Sequence, residues 1–186
     1  MSLPLEIIPY DDPRFPAKLR ERLGRIASPQ VTALGNLDLL ALPKTALFCT
    51  ARCPGSAILR AYDQAAHWRD LGRCIVSGFH SPVEKECLRI LLRGTQPIIL
   101  CPARALPKRI SPEWQTALDA GRLLLLSAFP ETETRITADL ARRRNEIVAA
   151  LADEACFAHI TPGGQSDHLT HRLREWRVLF STLETP

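Results

Sequence analysis

Thr45-Ala46-Leu47-Phe48-Cys49, then Thr50-Ala51-Arg52-Cys53-Pro54-Gly55-Ser56, then a helical pattern from Ala57 to Leu71 closed by Gly72, then Cys74-Ile75-Val76-Ser77-Gly78: this stretch decides the fold. It reads strand, loop, helix, strand. The helix is long enough for the crossover that two parallel strands require. Ser56 is placed to cap its start, and Gly72 to end it in the left-handed conformation. In such a unit the helix N-terminus offers N–H groups and a positive dipole end at the carboxyl edge of the sheet. An anion, typically a phosphate, is the expected guest.

Downstream the pattern repeats. A helix from Val83 to Arg93 leads to a strand at Pro97–Cys101, and a short helix from Pro112 to Ala120 leads to Leu123–Ser127. The longest helical pattern runs from Thr134 to Ala152 and precedes a strand at Glu154–Ile160. A helix from Ser166 to Trp176 and a last strand at Val178–Phe180 follow. The strands are continuously apolar rather than alternating, which argues for a parallel sheet covered on both faces. The expected fold is therefore α/β: a Rossmann-like, mostly parallel sheet with helices on both faces. Residues 1–43 are Pro-broken at the start and turn at Ser28-Pro29. They hold one short helix, a possible strand at Val31–Leu34 and an apolar patch at Leu37, Leu39, Leu40 and Leu42. We read them as an N-terminal extension or cap, with 44–182 as the Rossmann-like domain.

Composition excludes several classes. A chain of 186 residues, 46% hydrophobic and 24% charged, is globular and of ordinary domain size. Its apolar runs are too short to span a bilayer, and Met1-Ser2-Leu3-Pro4 is unlike a signal peptide, so the expected compartment is the cytoplasm, with no membrane partner. The six cysteines form no Cys-x-x-Cys pair. Cys49, Cys74, Cys101 and Cys156 fall in or beside strands, where Cys acts as a small buried hydrophobe. The plainer reading of Cys53 is an inert thiol. No metal site and no cofactor are expected. The net charge of +4 comes mostly from arginine, the better residue for forked phosphate contacts.

The loops at the carboxyl ends of the strands form the ligand site of such folds. Arg52 in the first can fork onto a phosphate. Ser77 and Gly78 end the second strand, where glycine allows close approach. A pocket lined by Thr50, Arg52, Ser77, Gly78, Ser127 and Gly163 is expected. For base stacking the candidates are Phe79, Phe129 and Trp114.

Taken together, these loops resemble the DNA-processing protein A family (DprA, also called Smf), which carries a Rossmann domain of the wider SLOG type. Gly35-Asn36-Leu37-Asp38-Leu39-Leu40 resembles its Gly-Asn-Leu-x-Leu-Leu. Thr50-Ala51-Arg52 stands where the family has Gly-Ser-Arg, and Val76-Ser77-Gly78-Phe79 is similar to Val-Ser-Gly-Leu. Leu126-Ser127-Ala128-Phe129-Pro130 resembles Leu-Ser-Glu-Tyr-Pro, and the run from Arg144-Asn145 to Leu151 resembles Arg-Asn-Arg-Ile-Ile-Ala-Gly-Leu. Gly163-Gly164 loosely matches the family's Ser-Gly-Ser loop. The chain reads as a divergent, minimal member without the winged-helix tail. The resemblance implies binding of single-stranded DNA through Thr50, Arg52, Ser77, Gly78, Phe79, Ser127, Arg144, Asn145, Gly163 and Gly164. It also implies a role in loading a recombinase during recombination and transformation, and a homodimer formed through Trp176, Val178, Leu179 and Phe180.

Two other readings compete. The few aromatic candidates and small net charge favour a small nucleotide more than the resemblance alone does, as in a SLOG-type nucleotide-binding sensor, the alternative to single-stranded DNA. Pro162-Gly163-Gly164 also resembles the start of the LOG-type nucleoside-monophosphate phosphoribohydrolase motif. The glutamate those enzymes use has no match here: its position falls at Thr170, and Asp167 lies almost a turn earlier. Glu84 and Glu86 read as helix N-terminal charges, and the histidines are scattered. No nucleophile–base pair stands at credible spacing, so catalysis is not expected.

Overall fold

The computed structural model describes residues 4–27, 29–50 and 52–183. Ser28, half of the expected turn, and Ala51, in the first loop, lie outside the described residues. The strands are β1 (Glu6–Pro9), β2 (Gln30–Gly35), β3 (Lys44–Phe48), β4 (Cys74–Ser77), β5 (Ile98–Leu100), β6 (Leu123–Ser127), β7 (Glu154–Phe157) and β8 (Leu179–Thr182). The helices are α1 (Ala17–Ala27), α2 (Gly55–Asp70), α3 (Pro82–Leu92), α4 (Pro112–Asp119), α5 (Ala138–Leu151) and α6 (Gln165–Glu175).

All eight strands form one sheet in the order β1-β2-β6-β5-β4-β3-β7-β8. From β6 through to β8 every pairing is parallel, while β1 with β2 and β2 with β6 are antiparallel. The mostly parallel α/β sheet read from the sequence is thus the observed one.

The apolar runs are continuous because both faces are covered. Ala46 and Phe48 of β3, Val76 of β4, Ile99 of β5 and Leu124 and Leu126 of β6 face a cluster with Leu19, Leu140, Val148 and Leu173 from α1, α5 and α6. Leu47, Ile75, Ile98, Leu123 and Leu125 face the opposite cluster, with Ala61, Ala65, Cys87, Leu91 and Ala117 from α2, α3 and α4.

The segment before Lys44 adds two strands to the sheet and lays α1 against α5. Its Gly-Asn motif has a structural cause. A Cβ on Gly35, whose φ is +117°, would stand 2.2 Å from the Leu123 carbonyl oxygen. The Asn36 side chain donates to Gly121 O at 2.9 Å and accepts from the Asp38 amide at 3.0 Å, tying β2 to the turn before β6.

Some boundaries differ from the sequence reading. The α2 N-cap is Pro54 and makes no side-chain bond, so Ser56 lies inside the helix instead of capping it. Gly72 does take the left-handed conformation, φ +70°. The helix expected from Thr134 starts at Ala138, where the Thr137 hydroxyl accepts from the Leu140 amide. β7 stops at Phe157, three residues before the expected Ile160.

The chain runs outward from β3 to β4, β5 and β6, then returns to lay β7 and β8 on the other side of β3. The direction reverses between β3 and β7. Loops leaving these strands go to α2 on one face and α6 on the other, which leaves a crevice at their carboxyl ends.

Candidate nucleic-acid interface

That crevice is present as a cleft of about 390 Å3. Its floor is Phe48, Cys49 and Thr50 at the end of β3. His80, Ser81, Pro82 and Glu84 form one wall, Ala141, Arg144 and Asn145 of α5 the back, and Gln165, Ser166 and Leu169 of α6 the other wall.

Arg144 is 4% exposed, although it is a charged residue in the middle of a helix. Leu140, Ile147, Val148 and Leu151 occupy the same buried stripe of α5, so helical spacing carries Arg144 inward. Its Nε donates to Asn145 Oδ1 at 2.8 Å, and its Nη1 donates to the Cys101 carbonyl at 3.3 Å. Burial pushes the guanidinium pKa down, with the Glu84 charge acting the other way. Gly78 packs against it so closely that a Cβ would lie 1.7 Å from Nη1. The close approach that glycine permits here is to an arginine of the same chain.

Glu84 is also buried, at 6% exposure. One carboxylate oxygen accepts the Cys49 amide at 3.0 Å, and the other accepts the amides of His80 at 2.8 Å and Ser81 at 3.2 Å. The Ser81 hydroxyl accepts the Glu84 amide in return, a capping box on α3. Glu84 thereby ties the end of β3 to the loop after β4. The sequence signal was the Ser-x-x-Glu spacing of Ser81 and Glu84.

The two strand-end serines serve the backbone. The Ser77 hydroxyl donates to Leu47 O at 2.8 Å and accepts from the Phe79 amide at 3.3 Å; Ser127 does the same with Arg104 O at 2.7 Å and the Phe129 amide at 3.2 Å. Both serines are buried, and neither lines the cleft. Phe79, at φ +46°, and Phe129 are buried too, so neither offers a face for stacking. Thr50 reaches the cleft and donates to Arg52 O at 3.2 Å. Arg52 is exposed and does not line the cleft. Gly163, at φ +70°, is exposed, its amide held by Asp167 Oδ2 at 2.9 Å, and Gly164 is the N-cap of α6. Of the expected pocket residues only Thr50 lines this cleft, which Arg144 and Asn145 join. Gly78 and Phe79 border a neighbouring cavity, again with Arg144.

On this edge unpaired cations outnumber the unpaired carboxylates, which are those of Glu113, Glu131 and Glu133 among the described residues. Among the described residues, Arg52, Lys85, Arg104, Lys108, Arg109 and Arg135 have neither hydrogen bond, ion pair nor ring contact from their side chains, and all lie in loops or a first helical turn at the carboxyl edge. Arg93 and Arg177, at the opposite ends of α3 and α6, share this state; the other Lys and Arg side chains are tied down. The N-termini of α2, α4 and α6, at the same edge, have no side-chain cap, so their amides add further positive potential. Burial, then the charges of Arg144 and Lys85, lowers the His80 pKa, which leaves its imidazole neutral at pH 7. The Cys49 thiol is pushed up by its hydrogen bond with Cys87 and by burial, and burial pushes Cys101 up to about 12. Thiols so placed are inert.

The family model for DNA recombination-mediator protein A matches residues 6–160. The chain belongs to that family. Among solved structures, DNA processing protein A (DprA) from Streptococcus pneumoniae superposes with a TM-score of 0.79 at 20% identity. That match covers 98% of this chain and 64% of the pneumococcal one, so the present chain spans less than two thirds of that relative. DNA processing protein A from Helicobacter pylori, whose structure concerns its single-stranded DNA binding mode, gives 0.68 at 20% identity over 84% of this chain and 73% of its own. The molybdenum cofactor binding protein from Rippkaea orientalis shares the fold more distantly, with 0.55 at 12% identity over 77% of each chain. None of the curated proteins matches. Arg144 is thus a buried guanidinium bordering two cavities, bonded to Asn145 and to the Cys101 carbonyl and packed on Gly78. Among the described residues no helix is long and apolar enough to cross a membrane, and no group of three or more His, Cys, Asp or Glu could hold a metal.

Proposed function

We propose that the carboxyl edge binds the phosphodiester backbone of single-stranded DNA, and that the protein acts as a recombination mediator passing that strand to a recombinase. The observation that carries this reading is the gathering of uncommitted Arg and Lys side chains on one edge, around a cleft with Arg144 at its back. Cations with no internal partner break no hydrogen bond or ion pair of the fold by turning to phosphates, and helix N-termini add amide donors. The family match and the likeness to the Helicobacter relative, whose structure concerns single-stranded DNA binding, support the choice of DNA over other polyanions.

The reading includes a homodimer through β8 and a cytoplasmic location. β8 is an edge strand, and Leu179 on it is 81% exposed, whereas Val178 is buried and Phe180 packs edge-on to Phe157. Leu179 is the residue of that run open to a second copy. The reading includes no catalysis. Thr170 is buried, bonded to Asp167 O and to Arg174, and Glu84 is fully engaged with backbone amides.

A mobility-shift titration with labelled single-stranded oligonucleotide tests the proposal. Arg52→Ala and Arg104→Ala should each weaken binding by a similar factor whatever the base sequence, because both contact phosphate. Unchanged binding in both variants, or loss confined to one base sequence, would overturn it.

A further inference from the structure

A second cavity of about 390 Å3 lies on the other side of the Arg144 guanidinium. Arg144 and His80 border both spaces, so the two open to either side of a shared wall. The chemistry of the second differs from that of the first. Leu88 and Leu92 of α3, Pro102 and Ile136 give it apolar walls, and the half-buried Trp114, in the first turn of α4, completes them. Ile136 is 38% exposed, so apolar surface is left uncovered at its mouth. Lys85 and Arg104, both without a partner among the described residues, stand on its rim.

We propose that this cavity is a nucleobase subsite in which Trp114 stacks on one base of the strand whose backbone the main cleft holds. The inference rests on the single-stranded DNA reading and adds to it the place where a base is received. Stacking on an aromatic face is how proteins take single-stranded nucleic acid without choosing its sequence. Phe79 and Phe129 are buried and cannot serve. Of the three tryptophans in the chain, Trp68 is buried, and Trp176 lies at the far end of α6 under Arg22 and Arg172. Trp114 thus combines partial exposure, apolar neighbours and flanking cations. Of the charged side chains that line the cavity, Lys85, Arg89, Arg104 and Arg144 outnumber Glu113, so the phosphates flanking a base seated there meet net positive charge.

The test uses intrinsic tryptophan fluorescence and two probes: an oligothymidylate of about twelve nucleotides, and a strand of equal length made of abasic sites. The thymidylate should quench the emission and the abasic strand should not. Trp114→Ala should weaken thymidylate binding about five- to a hundred-fold, as loss of one stacked base does, while abasic binding stays within about two-fold. Trp114→Phe keeps an aromatic face and should retain most of the affinity, which separates lost stacking from lost folding. Equal losses for both probes in Trp114→Ala, or wild-type thymidylate affinity in that variant, would overturn the subsite and leave backbone binding standing. A wild-type protein that binds neither probe would remove the DNA reading and this subsite with it.

Discussion

Gly78→Ala is the substitution whose outcome follows most directly from the geometry. The three atoms nearest the new Cβ all belong to Arg144: Nη1 at 1.7 Å, Cζ at 2.0 Å and Nε at 2.6 Å. Gly78 has no positive φ, so alanine is acceptable to the backbone itself. The guanidinium must move, and Nη1 is the atom that donates to the Cys101 carbonyl. A hydrogen bond from a charged group is worth about 1.5–3 kcal/mol. Against this, Gly→Ala at a compatible position stabilises by about 0.4–1 kcal/mol through the unfolded chain. The net cost is then about 0.5–2.6 kcal/mol, or about 1–10 °C in Tm for a protein of this size. In an Arg144→Ala background the clashing atoms are gone, so Gly78→Ala should be neutral or stabilising by up to about 1 kcal/mol. Urea unfolding of the four proteins of this cycle, read from midpoints at constant m-value, gives the coupling between the two sites. An equal cost of Gly78→Ala in both backgrounds would refute the packing of Gly78 on Arg144.

Other outcomes follow from the same structure. Asp153 is partly buried, which raises its pKa, but the Lys18 ammonium and the Lys44 amide bind its carboxylate and win, leaving the pKa below the usual value. A lowered carboxylate pKa gives stability that is present above the unfolded value and lost as pH falls through the folded one. Wild type should therefore lose stability below about pH 4, and Asp153→Asn should show a flatter acid limb in denaturation at stepped pH. If β8 pairs two copies, light scattering should give a dimer that Leu179→Asp converts to monomer without changing the circular dichroism; a wild-type monomer at high micromolar concentration removes the idea. AMP and related monophosphates incubated with the protein should release no free base, with a known phosphoribohydrolase as positive control. Base release abolished by Glu84→Gln would instead make that carboxylate catalytic.

The sheet was legible because its apolar runs carry a topological message. Leu123–Leu126 and Ile98–Leu100 are apolar at every position, and such strands need cover on both faces, which is what α1, α5 and α6 on one side and α2, α3 and α4 on the other supply. The antiparallel joining of β2 to β6 was not legible, since nothing in Val31–Leu34 names its partner. At the site, position was legible and orientation was not. Ser77 and Ser127 do end strands at the carboxyl edge, but a serine there bonds a ligand or its own backbone with equal ease, and here both bond backbone. Phe79 and Phe129 turn inward to join the buried clusters on the two faces of the sheet, a fact of packing that lies outside any local pattern. Arg144 and Glu84 could have been placed. One sits on the apolar stripe of α5 and the other completes a capping box.

The central claim is that the carboxyl edge holds the backbone of single-stranded DNA through charge. Fluorescence anisotropy of a labelled oligonucleotide, titrated at several salt concentrations, tests it most directly. The account predicts a log–log decline of affinity with salt whose slope is about −0.7 per phosphate contacted, and a slope shallower by about that amount in Arg104→Ala. Affinity independent of salt, or an unchanged slope in Arg52→Ala, Arg104→Ala and Lys85→Ala alike, would contradict it.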